Sequence, residues 1–155
     1  MKILVVSDTH GNRQTLVNIL EGTGAEMLIH LGDEIGDALF METIIALPVI
    51  KVPGNCDHRS AEPRELLKSI ADRKFFITHG DQYKVKISLS RLVDKAKELK
   101  ASVVLFGHTH TPLIQKEDGV LLINPGTLMS GSDSKSYAIL TVTPFKIAAE
   151  IIHLI

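Results

Sequence analysis

Seven side chains able to bind metal ions stand close to the ends of short apolar runs. Four are imidazoles, two are carboxylates and one is an amide. This nitrogen-rich set suits Mn, Fe, Co, Ni or Zn better than Mg or Ca, which prefer oxygen ligands. Seven ligands are more than one ion needs, so the sequence predicts two divalent transition-metal ions. The seven residues are Asp8, His10, Asp33, Asn55, His79, His108 and His110.

Two pairs among the seven share the same spacing. Asp8 and His10 are separated by one residue, and so are His108 and His110. On an extended segment such side chains project to the same side, so each pair is expected to converge on one ion. Glycine also stands beside most of the seven, where the backbone must turn sharply or let a substrate approach closely.

Each residue taken alone has a more ordinary interpretation. An aspartate after a strand commonly caps a helix or forms a turn, and Asn55 after Gly54 is typical of a turn. An isolated histidine is usually at the surface or hydrogen-bonded, and we interpret His30, His58 and His153 in that way. The prediction of a metal site therefore depends on the seven occurring together.

The apolar runs predict the strands that position these side chains. Helices are expected between the strands: one capped by Asn12, one over 37–47, one opening at Pro63 and one from about Ser88. Asp118 and Gly119 predict a hairpin turn. The predicted fold class is α/β, with mixed β-sheets stacked as a sandwich and flanked by helices, and ligand sites of such sheets lie beyond the carboxyl ends of strands. The predicted strands are 2–6, 27–30, 49–52, 74–78, 103–106, 113–115, 120–123, 137–142 and 147–154.

Composition limits the partners. The 155 residues, 45% hydrophobic, fit one domain spanning 1–155. Seventeen basic and eighteen acidic residues without a charged block argue against nucleic-acid binding.

The lone Cys56 cannot form an internal disulfide, and the first apolar run is too short for a signal-peptide core, so a cytoplasmic location is expected. The apolar stretch 138–155 is interrupted too often to span a membrane and is expected to form strands.

The motif order resembles that of the calcineurin-like metallophosphoesterases, and the short chain looks most like the small bacterial and archaeal phosphodiesterases of that superfamily. The resemblance implies that Asp8, His10 and His110 bind one ion, that Asn55, His79 and His108 bind the other, and that Asp33 bridges them. It covers nearly the whole chain. The matching blocks are Asp8-Thr9-His10, Gly32-Asp33, Gly54-Asn55-Cys56-Asp57, His79-Gly80, Gly107-His108-Thr109-His110 and Asn124-Pro125-Gly126.

The implied reaction is hydrolysis of a small phosphodiester by a hydroxide that bridges the two ions, without a protein nucleophile. Asp33 and Asn55 would serve this reaction as ligands, and Asp57 would orient a ligand unless it is only a turn residue. Larger superfamily members usually carry a histidine, thought to protonate the leaving group, where this chain has Cys56. Aryl phosphodiesters should therefore react far better than alkyl ones. Cys56 itself is interpreted as a small buried thiol, although His58 is close enough in sequence to substitute as the acid.

Several alternatives stay open at this point. Asn12 and Arg13 either contact phosphate or serve as a helix cap and a solvent-facing first turn. A non-catalytic interaction module is a second hypothesis, because a scaffold subunit of the retromer complex resembles this fold. A metal-dependent nuclease is a third, but it should carry a basic groove or a further domain. The expected partner is a small phosphodiester substrate, with self-association left open.

Overall fold

Ten strands and three α-helices follow one another along residues 1–155, which the computed structural model describes. The helices are α1 (Arg13–Thr23), α2 (Ile35–Ile44) and α3 (Ser90–Glu98), and a short 3-10 helix covers Asp81–Tyr83. The strands are β1 (Lys2–Val6), β2 (Met27–His30), β3 (Val49–Lys51), β4 (Glu65–Ile70), β5 (Arg73–Thr78), β6 (Val103–Leu105), β7 (Leu113–Glu117), β8 (Val120–Asn124), β9 (Ser136–Val142) and β10 (Ile147–His153).

The strands form two five-stranded sheets, in the orders β10-β9-β1-β2-β3 and β4-β5-β6-β8-β7. Strands β1, β2 and β3 are parallel to one another, as are β5, β6 and β8, whereas β9, β10, β4 and β7 pair antiparallel with their neighbours. The carboxyl ends of parallel neighbours lie at the same edge of their sheet. The loops after β1, β2 and β3 therefore start side by side, and so do those after β5 and β6.

Alternating side chains divide the core into layers. In β1, Ile3 and Val5 join the core between the two sheets, while Leu4 joins the cluster that contains residues of α1 and α2. In β5, Phe76 likewise points away from the first sheet, into the cluster that includes Leu92 of α3. Burying a large apolar side chain contributes about 1.5–3 kcal/mol, so strands with apolar residues on both faces must lie inside. This arrangement of helix, sheet, sheet and helix confirms the predicted fold class.

Most predicted elements form within a few residues of their expected bounds, but the helix expected at Pro63 is wrong. Residues Glu65–Ile70 are a strand that pairs antiparallel with β5. The connecting turn places both Ala71 and Asp72 at positive φ, of 48° and 64°. Such a turn normally takes Asn or Gly at these positions, so the sequence carried little signal for this hairpin. The predicted turn at Asp118 and Gly119 is confirmed, with φ of 51° and 79°.

The C-terminal apolar stretch forms β9 and β10, as expected, and these strands close one side of the first sheet. No helix in the chain combines the length and the apolarity that crossing a membrane requires.

Candidate metal centre

The loops that follow β1, β2, β5 and β6 bring six of the seven predicted ligands together. Their ligand atoms form two groups of three, and within each group all ligand atoms lie within 4.8 Å of one another. Strand ends that are far apart in sequence therefore bring their ligand side chains to one location. The first group is Asp8, His10 and His110, and the second is Asp33, His79 and His108.

The two groups are in direct contact through their carboxylates. Oδ1 of Asp8 lies 3.1 Å from Nε2 of His110 and 4.0 Å from Nε2 of His10. Oδ2 of Asp33 lies 3.4 Å from Nε2 of His79, in its own group, and 4.0 Å from Nε2 of His10, in the other. Ligands of a common ion, each about 2.0–2.2 Å from it, are separated by roughly 3–3.5 Å. Oδ2 of Asp33 therefore faces histidines of both groups, and Oδ1 of Asp8 does the same, lying 3.9 Å from Nε2 of His79.

Three polar atoms at this point are buried without any hydrogen-bond partner. They are Oδ1 of Asp8, Nε2 of His10 and Nε2 of His79. An unpaired buried polar atom costs about 1–3 kcal/mol, so three together are unfavourable unless something else binds them. Carboxylate oxygen and imidazole nitrogen atoms grouped at these separations are a donor set that fits divalent transition metals. The residues present therefore fit a pair of ions.

The backbone conformation corrects the expectation that the paired ligands lie on extended segments. Five of the ligands adopt the left-handed region, with φ of 53° at Asp8, 44° at His10, 49° at Asp33, 68° at His108 and 62° at His110. Such residues cost about 1–3 kcal/mol each and cluster at functional sites. The two members of each pair converge because the chain coils back between them, not because they share one side of a strand.

Glycines let the ligand loops pack backbone against backbone. A Cβ atom on Gly32 would lie 2.3 Å from the backbone nitrogen of Gly54, and a Cβ on Gly54 would lie 2.1 Å from Oδ1 of Asp33. A Cβ on Gly107 would lie 2.0 Å from Oγ of Ser7. The close approach that these glycines permit is therefore between neighbouring loops.

Hydrogen bonds on the far side of two ligands aim their free atoms at the centre. Oδ2 of Asp8 accepts from the hydroxyl of Ser7 at 2.5 Å and from the backbone N–H of His108 at 3.1 Å, which leaves Oδ1 free. Nδ1–H of His79 donates to the carbonyl of Leu31 at 2.6 Å. This bond fixes the tautomer and leaves the lone pair of Nε2 for a metal ion.

Asp57 joins two ligand loops through their backbones. Its Oδ2 accepts from the N–H groups of Asp33 and Gly54, at 2.9 and 2.8 Å, and its Oδ1 accepts from the N–H of Ile35 at 3.0 Å. These bonds fix the loop after β2 to the loop after β3. Asp57 therefore positions the backbone that carries Asp33.

A second buried network was not predicted. The hydroxyl of Thr9 donates to Oδ2 of Asp37 at 2.5 Å, and the same oxygen accepts the N–H of Gly11 at 2.9 Å. Nδ1 of His30 accepts the N–H of Gly32 at 3.1 Å, so its Nε2 carries the proton and donates to Thr9 Oγ1 at 3.0 Å. The network joins the loops after β1 and β2. Its one sequence signal was the position of Thr9 between two predicted ligands.

Charges at the centre shift the proton affinities of its ligands. Burial would lower the pKa of His79, but the Asp33 and Asp8 carboxylates outweigh burial and raise it. Burial would raise the pKa of Asp33, but His79 and the N–H of Cys56 lower it well below its usual range. Burial and the neighbouring His79 lower the pKa of His108. Metal binding requires His79 with an unprotonated Nε2, so binding should weaken in acid.

The loop after β3 departs from expectation at Cys56. The thiol is exposed, so its interpretation as a buried thiol is wrong. The backbone N–H of Cys56 donates to Oδ1 of Asp33 at 2.9 Å, which leaves the side chain at the surface of the loop. Asn55 is also exposed and its Nδ2 donates to the Cys56 sulfur at 3.8 Å, so its role as a ligand stays a prediction. His58 and His153 are exposed, as expected.

Asn12 and Arg13 are both held by other parts of the chain. Asn12 occupies the N-cap position of α1 but makes no capping hydrogen bond, and its Nδ2 donates to the carbonyl of Leu128 at 2.8 Å. Nε of Arg13 donates to Oδ1 of Asp37 at 2.8 Å, and its guanidinium lies 5.0 Å from the centre of the Phe40 ring. Arg13 is exposed in the first turn of α1, as the solvent-facing alternative expects, and Asn12 holds the cap position without a capping hydrogen bond. A phosphate contact by either side chain stays a prediction.

A family model, the calcineurin-like phosphoesterase superfamily domain, matches residues 1–144. The chain belongs to this superfamily. Its relatives include the probable metallophosphoesterase YsnB of Bacillus subtilis, 36% identical over 92% of this chain and 85% of that protein. Another is the phosphodiesterase MJ0936 of Methanocaldococcus jannaschii, 33% identical over 81% of this chain and 83% of that protein. These matches confirm the family expected from the motif blocks.

A solved structure shares the fold at much lower sequence identity. Wild-type Vps29 of Entamoeba histolytica, solved in complex with zinc, superimposes with a TM-score of 0.80 at 17% identity, over 99% of this chain and 98% of that chain. At this identity the likeness concerns the fold alone. It does not separate an enzyme from an interaction module.

Proposed function

We propose that this protein hydrolyses small phosphodiesters at a centre of two divalent ions. The observation that carries the proposal is the convergence of three buried, unpartnered ligand atoms at a point where Asp33 faces histidines of both groups. Relatives named as metallophosphoesterases and phosphodiesterases support the same reaction class. When bound, the ions would lower the pKa of a shared water and neutralise charge on the phosphoryl oxygens.

We assign the ligands as the family resemblance implies. Asp8, His10 and His110 would hold one ion and His79, His108 and Asn55 the other, with Asp33 between them. Four imidazoles favour Mn, Ni, Fe, Co or Zn over Mg or Ca. The grouping of the six His and Asp ligands supports this division, and the loop position of Asn55 is compatible with it.

The protein's own residues would hold the metal ligands in position, and none of them would act as the nucleophile. Asp57 holds the backbone on both sides of Asp33, and Leu31 holds His79 in the tautomer that binds metal. Partial desolvation and the charge of Asp33 raise the pKa of the Cys56 thiol to about 11, so it is a weak acid and is not thiolate at neutral pH. We assign Cys56 no covalent role, since the attacking hydroxide would come from the metal centre.

The test is a panel of phosphomonoesters and phosphodiesters, cyclic nucleotides among them, assayed with Mn, Ni, Mg or a chelator. We expect diester hydrolysis with Mn or Ni, lower rates with Mg and none with the chelator. Calorimetric titration should give two ions per chain in the wild type. Absence of turnover with every metal would overturn the proposal.

A non-catalytic interaction module remains the second candidate, and the likeness to Vps29 is the observation that favours it. Because that Vps29 was solved with zinc, metal binding alone does not separate the two candidates. Hydrolysis of an ester separates them, since only the enzyme turns over substrate. A module that binds zinc but hydrolyses no ester would fit the second candidate and contradict the first.

The expected cytoplasmic location also belongs to this proposal. A free and exposed thiol at Cys56 is compatible with a reducing compartment. Fractionation of cells that express the full chain would test the location.

A further inference from the structure

A cavity of about 560 Å³ opens beside the ligand loops. Its walls come from the start of α2 and from residues 56–62. Two of its lining residues are direct sequence neighbours of predicted ligands, since Glu34 follows Asp33 and Cys56 follows Asn55. The hydrogen bond from the N–H of Cys56 to Oδ1 of Asp33 fixes the cavity wall against the carboxylate that faces histidines of both groups. A molecule anchored at the centre could therefore extend into the cavity.

Part of the cavity wall is apolar although it faces solvent. Leu39, which is 43% exposed, and the exposed Ala61 supply this part, and the buried Ile35 lies behind them. Binding cavities for small molecules commonly combine apolar walls with a few polar groups, and volumes of about 300–1,000 Å³ are typical. An aromatic ring or a nucleobase fits within such a volume.

The charge of the rim restricts what enters. Glu34, Asp57 and Glu62 bring three carboxylates to the lining, of which Glu62 pairs with Lys51 at 3.7 Å, whereas Arg59 brings one guanidinium. A second phosphate or a polyphosphate tail would be repelled there. The group that suits this cavity is therefore uncharged, flat and largely apolar.

We propose that this cavity is a specificity subsite for an uncharged aryl or nucleobase substituent of the substrate, whose phosphate binds at the adjacent metal centre. The inference rests on the proposed function, since the centre must hold the phosphoryl group for the substituent to reach the cavity. It adds the class of the substituent, which the ligand set alone does not define.

Methylphosphonate and phenylphosphonate test the subsite, because they share an anionic head and differ in one substituent. Each is measured as a competitive inhibitor of diester hydrolysis by the manganese-loaded protein. Burial of part of a phenyl ring should make phenylphosphonate about tenfold tighter or more. Equal inhibition constants would overturn the subsite while leaving the proposed function intact. If the enzyme hydrolyses the diester but neither phosphonate inhibits it, the subsite proposal is also overturned. If the enzyme does not hydrolyse the diester at all, the proposed function is the one that fails.

Two matched variants on α2 locate the effect. Leu39→Asn replaces an apolar cavity wall with a polar group of similar size, and the preference for phenylphosphonate should fall to within about twofold of parity. Ile44→Asn changes another exposed apolar residue of the same helix, 50% exposed, that does not line the cavity, and the preference should persist. A preference that survives Leu39→Asn, or that Ile44→Asn abolishes equally, would contradict the assignment. Circular dichroism checks that both variants are folded.

Discussion

Replacing Gly54 with alanine should disable the centre without removing any ligand. A Cβ at this position would lie 2.1 Å from Oδ1 of Asp33, 2.8 Å from its Cγ and 2.7 Å from its backbone nitrogen. A carbon and an oxygen normally stay about 3.2 Å or more apart, since dispersion contacts are optimal near 3.5–4.0 Å. The Asp33 carboxylate must therefore move by about 1 Å. The same oxygen, Oδ1, accepts the N–H of Cys56, so the move also breaks that hydrogen bond.

The magnitude follows from this displacement. Misplacing a catalytic constellation by about 1 Å costs on the order of 100-fold in rate, and overpacking costs about 1–3 kcal/mol of stability. We expect kcat/KM for a diester to fall about 100-fold or more in Gly54→Ala and the second ion to bind more weakly. Steady-state hydrolysis and calorimetric metal titration measure the two effects. Urea unfolding separates them from a general loss of fold.

Gly22→Ala is the matched control. Gly22 is exposed within α1, and a Cβ there would have nothing within 4 Å. Alanine in a helix interior is about 0.5–1 kcal/mol more favourable than glycine, so this variant should be more stable and equally active. Activity within about threefold of the wild type in Gly54→Ala, with two ions still bound, would refute this reasoning. It would mean that catalysis does not depend on the position of the Asp33 carboxylate beside Gly54.

Three further outcomes are expected. Asp33→Asn should abolish turnover while circular dichroism stays unchanged, because an amide cannot supply the negative charge between two cations, and retained activity would contradict the bridging role. Burial lowers the pKa of His30 to about 4, from an ordinary value of 6.5. The folded state therefore resists protonation, and the stability present above pH 6.5 is lost as pH falls toward 4. In the presence of chelator, wild type should lose about 2 kcal/mol more than His30→Gln between pH 7 and 5, and equal losses in urea unfolding would argue against a buried neutral His30. Aryl diesters should react about 100-fold or more faster than alkyl diesters, with the ratio unchanged in Cys56→Ala, and similar rates for both esters would mean that an acid such as His58 protonates the leaving group.

The sequence determined the fold class and the chemical character of the site. Strand β1 is apolar from Ile3 to Val6 and β5 from Phe75 to Ile77, and such continuous apolar runs are typical of strands buried on both faces. The ligands were visible because metal binding depends on side-chain type and because each follows an apolar run. Their order along the chain also identified the superfamily. These features are local, so they can be recognised in the sequence without knowing which residues are in contact.

Tertiary structure decided how the ligands are held. The left-handed conformations of Asp8 and His10 and the hairpin at Ala71 and Asp72 are not favoured by local propensity, and they persist because packing imposes them. The hydrogen bonds that connect His30, Thr9 and Asp37 span 21 and 28 residues of sequence. Whether a polar side chain binds a metal, a neighbouring loop or water depends on which distant groups face it, and a linear pattern does not contain that information.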